Sequence, residues 1–284
     1  MPSKSKKNLK IPSDTLLSSH ILENLNCKPK IKNQGQLNSC TAVALAGMLE
    51  TIECRDFDKY TEVSSLFIYK LSRNLLRLTG DTGATIKSTM AVHKLFGIPP
   101  EKNWPYTDNL GDVIHYGYKN EPPAFCYAIA KNYGRLNKAA IKIDLPKTSK
   151  NLLLERIKKI LAENIPLYMT FKLFGSQLNV KSNKIIYPCP SDEVIKEIQV
   201  KAIGYNDNKK IKNPKCNIKN KGAILFDGSP KISHVLLPYD YVLNGHVKDC
   251  LLPLKEDLIS LDEFILEGYG NRIRTSVGRF NHVI

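Results

Sequence analysis

The sequence predicts an α+β protein with helices in its first half and strands in its second half. Three segments with helical periodicity lie early in the chain, at 40–54, 64–76 and 84–96. A fourth helix, at 151–164, precedes a series of short β-rich segments, which are 167–174, 185–187, 197–203 and 222–226. Helices and strands that are separated along the chain in this way are typical of folds in which the two form separate layers.

The first predicted helix carries a continuous apolar stripe at the i, i+3, i+4, i+7 spacing, which is typical of a central, buried helix. The stripe consists of Ala42, Leu45, Ala46, Leu49 and Ile52. The third helix ends at Gly97, a suitable C-cap residue, and Pro166 lies just beyond the fourth. The lysine-rich segment 206–221 has many turn residues and almost no apolar periodicity, so it is predicted to be a long hairpin tip.

Length and composition limit the class of protein. A chain of 284 residues suits one large domain or two tightly packed lobes. No apolar run approaches the ~20 residues that a membrane-spanning helix needs. The first residues are polar and basic, without the apolar segment of a secretory signal. We therefore expect a protein of the cytoplasm or of a virion. The abundance of lysine, asparagine and isoleucine suits an AT-rich genome, that of a large DNA virus or of an intracellular organism.

The seven cysteines contain no CxxC-type pair, and their odd number argues against a complete disulfide framework. They are Cys27, Cys40, Cys54, Cys126, Cys189, Cys216 and Cys250. We therefore predict reduced thiols, no bound metal and no cofactor.

The chain is strongly basic. It has 42 Lys and Arg residues against 27 Asp and Glu residues, which gives a formal net charge of +15. Lysines cluster at 4–10, at 28–32 and at 209–221, and such clusters attract nucleic acid or anionic surfaces without sequence preference. However, the clusters lack interleaved aromatic residues, and no nucleic-acid-binding motif accompanies them. Two interpretations stay open: a solvated surface, or a weak contact with a polyanion.

The residues before the first helix have the composition of a nucleophilic site. Cys40 stands at the predicted helix N-terminus, where the partial positive charge favours thiolate over thiol. Gln34, six residues earlier, has an amide that can donate a hydrogen bond beside the sulfur. A nucleophile and an oxyanion donor are the beginning of a cysteine hydrolase. The structural alternative is that Cys40 is a small, buried apolar residue.

The pattern Gln34-Gly35-x-x-x-Ser39-Cys40, followed by Thr41, resembles the active-site motif of the papain-like cysteine peptidases, in the form found in bacterial and viral branches. The resemblance implies that Gln34 lines the oxyanion hole and that Cys40 attacks the scissile carbonyl. It also implies a two-lobed fold, with a helical left lobe, an antiparallel, barrel-like right lobe and a substrate cleft between them.

The resemblance sets the expected domain boundaries and cleft residues. A basic arm at 1–25 precedes the peptidase domain at 26–252, and an extension at 253–284 follows it. The left lobe covers about 26–121 and the right lobe about 122–252. Within the left lobe, Gly83 and Ala84 are expected to line the cleft.

Both polar partners of the cysteine depart from the family pattern. The family places its base, a histidine, six residues before a Gly-Tyr pair, which here is Gly204-Tyr205, and the count arrives at Ile198. Strand alternation puts Ile198 on the apolar face, where it can neither take nor give a proton. The position of the orienting asparagine falls on Gly228, or on Asp227 if the register slips by one.

The last part of the predicted domain also resembles the family, and it contains a candidate replacement for the missing base. The segment 237–242 resembles the closing strand of the family. Among the six histidines, His234 is the best substitute base because it precedes this segment, and Asp227 is the best substitute for the orienting group.

We therefore predict a papain-like peptidase homologue that has lost its base and serves as a peptide-binding, protein-binding or structural component. One alternative is an active cysteine endopeptidase that uses a non-standard base such as His234. A second alternative is a basic, nucleic-acid-associated protein on a peptidase scaffold.

Overall fold

A computed structural model describes residues 16–22, 27–108, 117–133, 139–175, 183–229 and 232–254. Most of the predicted N-terminal arm and nearly all of the C-terminal extension lie outside these ranges, as do His115 and His282. The described residues form six α-helices and an antiparallel sheet, so the α+β prediction is confirmed.

Four helices form the first half of the fold. They are α1 (Cys40–Phe57), α2 (Ser65–Leu75), α3 (Ile86–Phe96) and α4 (Ala124–Tyr133). Helices α2 and α3 begin where the sequence offers a side-chain cap. The hydroxyl of Ser64 accepts a hydrogen bond from the N–H of Phe67, and Thr85 forms a reciprocal capping box with Ser88. These caps satisfy backbone donors that the first turn of a helix otherwise leaves unpaired.

Helix α1 is the centre of the first hydrophobic core. Twelve of its 18 residues are buried, including every member of the predicted apolar stripe. Side chains from α2, α3 and α4 surround it, with Trp104 from the following loop. The helix ends at Asp58, which adopts a left-handed conformation (φ 56°) and donates its backbone N–H to the carbonyl of Cys54.

The second half of the fold is built on the sheet. Its strands are β1 (Ser19–Ile21), β2 (Ala139–Lys142), β3 (Leu167–Phe174), β4 (Val194–Asn213), β5 (Ile218–Ser229), β6 (Ile232–Pro238) and β7 (Val247–Leu254). They pair in the order β2-β7-β3-β4-β5-β6, and β1 adds to β4. Helix α5 (Lys150–Ala162) packs on this sheet, and the short α6 (Asp240–Leu243) lies between β6 and β7.

The close approach of β1 to β4 explains the glycine of the Gly-Tyr pair. Gly204 pairs with Ile21, and a Cβ atom at Gly204 would lie 2.3 Å from the carbonyl oxygen of His20. Only glycine therefore fits at this crossing. The neighbouring Tyr205 is fully buried in the second core.

Two side chains connect α1 to the sheet. The hydroxyl of Tyr168 on β3 donates to the carbonyl of Thr41 at 3.0 Å. The ammonium of Lys201 on β4 donates to Oγ1 of Thr51 at 2.8 Å. Both contacts are buried, so they fix the position of α1 against the two central strands.

Three local predictions for the second half of the chain need correction. The segment 206–221 is mostly paired strand rather than loop, because β4 and β5 continue as a two-stranded ribbon as far as Asn213 and Ile218. The segment 185–187 is not a strand: the preceding Lys184 forms an isolated bridge with Leu236, and the N–H of Ile185 donates to the carbonyl of Leu236. The predicted closing strand at 237–242 ends at Pro238 and turns into α6, and β7 follows it.

The expectation that all cysteines are reduced is wrong. Cys27 is bonded to Cys54, and Cys189 is bonded to Cys216, with Cα atoms 5.8 Å apart in each pair. Cys40, Cys126 and Cys250 are free. The two cysteines of each pair are 27 residues apart, so no short sequence motif predicts the bond, and only the fold brings the partners together.

This pairing predicts a simple thiol count. The denatured, unreduced protein should react with three equivalents of a thiol reagent, and the protein denatured after reduction should react with seven. Mass spectrometry of the alkylated, unreduced chain should find the label on Cys40, Cys126 and Cys250. Seven reactive thiols before reduction would contradict the assigned pairs.

Candidate active site

Cys40 lies at the first turn of α1, where the helical half of the fold meets the sheet. Its sulfur is partly exposed and donates a hydrogen bond to Oε1 of Gln199 on β4 at 2.9 Å. The pair joins residues that are 159 positions apart, so it forms only when the two halves of the fold pack together. No part of the sequence pattern had assigned a role to Gln199.

The segment before Cys40 is held by a chain of hydroxyl groups. Tyr106 donates its phenolic proton to the carbonyl of Gln34 at 2.7 Å. Because that proton is used, the hydroxyl of Ser39 donates to the Tyr106 oxygen, at 2.5 Å. The side-chain amide of Gln34 donates to the carbonyl of Leu37 at 3.2 Å. Gln34 is thereby positioned at the edge of the cleft that contains Cys40.

Asp81 connects the segment before Cys40 to the residues around Gly83, which line the left side of the cleft. Its carboxylate accepts from the backbone N–H and from the side-chain amide of Asn38, both at 3.0 Å. It also accepts from the hydroxyl of Tyr69, which in turn accepts from the N–H of Gly83 at 3.2 Å. Gly83 has a φ of +85°, a conformation that favours glycine. No local pattern indicated a role for Asp81, because Asn38 is 43 positions away in the chain.

The cleft between the two halves has a volume of about 440 Å³. Its left wall includes Leu76, Leu78, Gly83 and Ala84, and its right wall is the β4 segment 196–199. Gly83 and Ala84 therefore lie in the cleft where they were predicted, and their contact with a substrate stays a prediction. Leu76 and Leu78 are 37% and 41% exposed, which gives the left wall an accessible apolar surface.

Gln199, rather than Ile198, is the β4 side chain that faces the sulfur. Ile198 lines the cleft but packs with the second core, as strand alternation predicted. The other face of β4, which carries Gln199 and Lys201, is covered by α1. The residue opposite the thiol is therefore an amide, and the interpretation of Ile198 as that residue is corrected.

The same face of β4 carries a buried ion pair. Nζ of Lys201 lies 2.7 Å from Oδ2 of Asp227 and also donates to the carbonyl of Gly47 at 3.3 Å. Asp227, a candidate orienting group, is thus the counter-ion of a lysine. Gly228 lies where β5 approaches β6, and a Cβ atom there would meet the carbonyl oxygen of Ile232 at 2.0 Å. The hydrogen-bond partner of the Gln199 side chain is Cys40, and the ion-pair partner of Asp227 is Lys201.

A cysteine at the first turn of a central helix thus faces the central strands of a sheet at a cleft. A known family matches this chain. The sequence profile of the papain family cysteine proteases matches residues 23–221. The chain belongs to the papain family. A comparison of the sequence with those of curated proteins finds no significant match.

Solved structures of papain family proteins share the fold. Xylellain, a cysteine protease from Xylella fastidiosa, is 22% identical with a TM-score of 0.69, over 84% of this chain and 86% of its own. A procathepsin B from Trypanosoma congolense is 13% identical with a TM-score of 0.60, over 89% and 82%. The Carica candamarcensis protease CMS1MS2 is 15% identical with a TM-score of 0.54, over 84% and 99%. At these identities the likeness is one of fold.

No histidine among the described residues lines the cleft of this papain family chain. His234 lies on β6 opposite Asp227 in the strand register, and its Nδ1 is 3.1 Å from the hydroxyl of Ser233. His246 packs against aromatic rings in the second core, and His93 is buried on α3. His20 lies 3.1 Å from the amide oxygen of Asn164. The structure therefore does not bring the predicted substitute base to Cys40.

The electrostatic environment of Cys40 favours the neutral thiol. Burial raises its pKa above the ordinary value, and this effect exceeds the opposing effects of a hydrogen bond from the backbone of Gln199 and of the Lys196 charge. Burial thus opposes the lowering of the pKa that the position of this thiol at a helix N-terminus favours.

Within the described ranges, no group of three or more His, Cys, Asp or Glu side chains is arranged to hold a metal ion. No helix in those ranges is long and apolar enough to cross a bilayer.

Proposed function

We propose that this papain family chain binds an extended peptide or protein segment in its cleft and hydrolyses it poorly or not at all. The observation that supports this proposal best is the hydrogen bond from Cys40 to Gln199, because a carboxamide cannot take the thiol proton at neutral pH. The position that faces the nucleophile thus has a group that orients the sulfur without activating it.

The energetic consequence for peptide hydrolysis is large. An ordinary thiol with a pKa of ~8.5 is only a few per cent thiolate at neutral pH, and burial of Cys40 reduces that fraction further. Loss of a general base alone costs about 100- to 10,000-fold in rate. The leaving amine also needs a proton, which the same imidazole supplies in a cysteine–histidine pair. The helix dipole, at about 1 kcal/mol, does not replace these contributions.

The cleft keeps the features that peptide binding requires. It lies between the two halves of the fold, and its left wall has the exposed apolar side chains of Leu76 and Leu78. An extended segment is bound mainly through its own backbone, with side-chain pockets for specificity, and neither contribution needs a reactive thiol. The hydrogen bonds of Asp81 and Tyr106 hold both edges of this cleft in place.

The catalytic part of the proposal is tested with a fluorogenic peptide library and a peptidyl thiol-directed probe. Hydrolysis by the natural chain should not exceed that of Cys40→Ala, and probe labelling of Cys40 should be slow. Hydrolysis by the natural chain that Cys40→Ala abolishes would contradict the proposal. If His234→Ala alone also abolished that hydrolysis, the alternative with a non-standard base would be established.

The binding part is tested with peptides selected from a random phage-displayed library and measured by fluorescence anisotropy. Cys40→Ala should change the affinity less than twofold. Leu78→Asp should weaken binding at least tenfold, because it places a charge on the apolar wall. Leu95→Asp is the matched control, since Leu95 is similarly exposed at 49% but lies on α3 outside the cleft lining. Equal effects of the two leucine variants would reject the cleft as the binding site.

The two disulfides also bear on where the protein works. Disulfides persist in oxidising environments and on virion surfaces, and they are rare in the cytosol. We therefore favour the virion-associated form of the localisation prediction over the cytoplasmic form. Thiol counting on protein purified under thiol-blocking conditions tests this choice, because cytosolic residence predicts seven free thiols.

A further inference from the structure

Four lysines form a regular array on the ribbon in which β4 and β5 continue beyond the main sheet. The strand register places Lys210 opposite Lys221 and Lys212 opposite Lys219. All four are exposed. Residues two apart on a strand share a face, so the array presents four ammonium groups on one side of the ribbon. Residues directly opposite each other on the two strands have Cβ atoms about 5 Å apart, and residues two positions apart on one strand have Cβ atoms about 6.8 Å apart.

The other face of the ribbon is anchored to the protein. Ile211, Asn213 and Asn220 are buried on that face. The side-chain amide of Asn213 donates to the carbonyl of Tyr187 at 2.8 Å. The turn of the ribbon contains Cys216, which is bonded to Cys189. The lysine array is therefore held in a fixed geometry on an anchored ribbon.

The array is electrostatically unfavourable in the isolated chain. Like charges directly opposite each other destabilise a pair of strands. Within the described part of the chain, none of the four ammonium groups forms an ion pair. The nearest carboxylate in sequence, Asp207, lies 2.8 Å from Nζ of Lys158. An anion that spans both lysine pairs would remove the repulsion, so the array has the character of a preformed polyanion site.

We propose that the lysine array binds the phosphate backbone of duplex nucleic acid without sequence preference. The segment 206–221 has no aromatic residue, so it lacks the stacking surface that single strands require. It also has none of the exposed large apolar side chains found in the described structure, which membrane insertion would use. A two-stranded ribbon fits a groove of the duplex, and rows of lysines meet its closely spaced charges.

This site is separate from the cleft. Gln199 and Lys210 lie on the same strand but eleven positions apart, which corresponds to roughly 35 Å of extended chain. The cleft lining on β4 ends at Gln199, and none of the four lysines belongs to it. Peptide binding and duplex binding can therefore succeed or fail independently.

The test is fluorescence anisotropy of a random-sequence DNA duplex of about 20 base pairs, titrated with the full chain at about 50 to 200 mM salt. The array variant carries Lys210→Gln, Lys212→Gln, Lys219→Gln and Lys221→Gln. The matched control carries Lys59→Gln, Lys94→Gln, Lys102→Gln and Lys147→Gln, which removes the same charge at four exposed positions elsewhere. Neutralising four phosphate contacts should reduce the slope of log affinity against log salt by about 3.6 and weaken low-salt binding at least tenfold.

The control variant should keep most of the affinity and most of the salt slope. Equal losses in the two variants would overturn the proposal, because they would assign binding to net charge rather than to the array. Absence of duplex binding at low salt would also overturn it, as would binding confined to phosphatidylserine vesicles. A melting experiment verifies folding: the array variant should melt at the same temperature as the natural chain or higher, because the like-charge repulsion is gone.

Discussion

Gln199→His should lower the pKa of Cys40, so that a thiol whose pKa is raised in the natural chain becomes largely ionised at neutral pH. The substituted imidazole would start from the Cα that already directs a side chain to 2.9 Å from the sulfur. A cysteine beside a protonated histidine has a pKa of about 3.5 to 7.5, whereas burial raises the pKa of Cys40 in the natural chain. The thiolate fraction at neutral pH should increase at least tenfold.

The measurement is the rate of Cys40 alkylation as a function of pH, with the label located by mass spectrometry because Cys126 and Cys250 are also free. The midpoint of the profile should fall by at least one pH unit in the variant. The decisive control is Ile198→His, the substitution suggested by counting from the Gly-Tyr pair. Ile198 lines the cleft but packs with the second core, so its variant should shift the midpoint by less than Gln199→His does. A shift in Ile198→His without a shift in Gln199→His would show that our assignment of the two faces of β4 is reversed.

Lys201→Met should destabilise the protein by about 3 kcal/mol in the free energy of unfolding, measured by denaturant titration. Removal of one partner of a buried ion pair typically costs about 3 to 5 kcal/mol, since the other charge stays buried without compensation. The lower figure applies because the side chain of Asp227 is 21% exposed and keeps some contact with water. The substitution also removes a donor from Thr51 and Gly47 of α1.

Two controls separate the buried pair from a general charge effect. Lys248→Met disrupts an exposed pair with Glu197 on the same sheet and should cost less than about 1 kcal/mol. The double variant Lys201→Met with Asp227→Leu should recover most of the lost stability, because two apolar side chains replace the pair. Equal costs for the two single variants would mean that Lys201 is not buried as described.

Much of the fold was predictable because local patterns determine it. The helix starts at Ser64 and Thr85 are encoded in capping residues, and the boundaries of β3 follow from its run of β-forming residues. The position of Cys40 at a helix start, with Gln34 close by in the cleft, was also accessible from local sequence. Family membership followed from the same short segment.

The rest of the site depends on contacts between distant segments. Strand alternation assigned Ile198 and Gln199 to opposite faces of β4, but alternation does not reveal which face the helix α1 covers. The burial of Lys201 against α1 was therefore not predicted. The two disulfides were missed for a related reason, since 27 residues separate the partners of each and pairing depends on the folded path.

An amide, and not a base, faces the Cys40 sulfur. The ultraviolet absorbance of the thiolate as a function of pH tests this in the natural chain, with Cys40→Ser subtracted as the reference. We predict a single transition above the ordinary thiol pKa, with negligible thiolate at neutral pH. A thiolate signal that persists from neutral into acidic pH would indicate an ion pair with an imidazolium and would contradict the account.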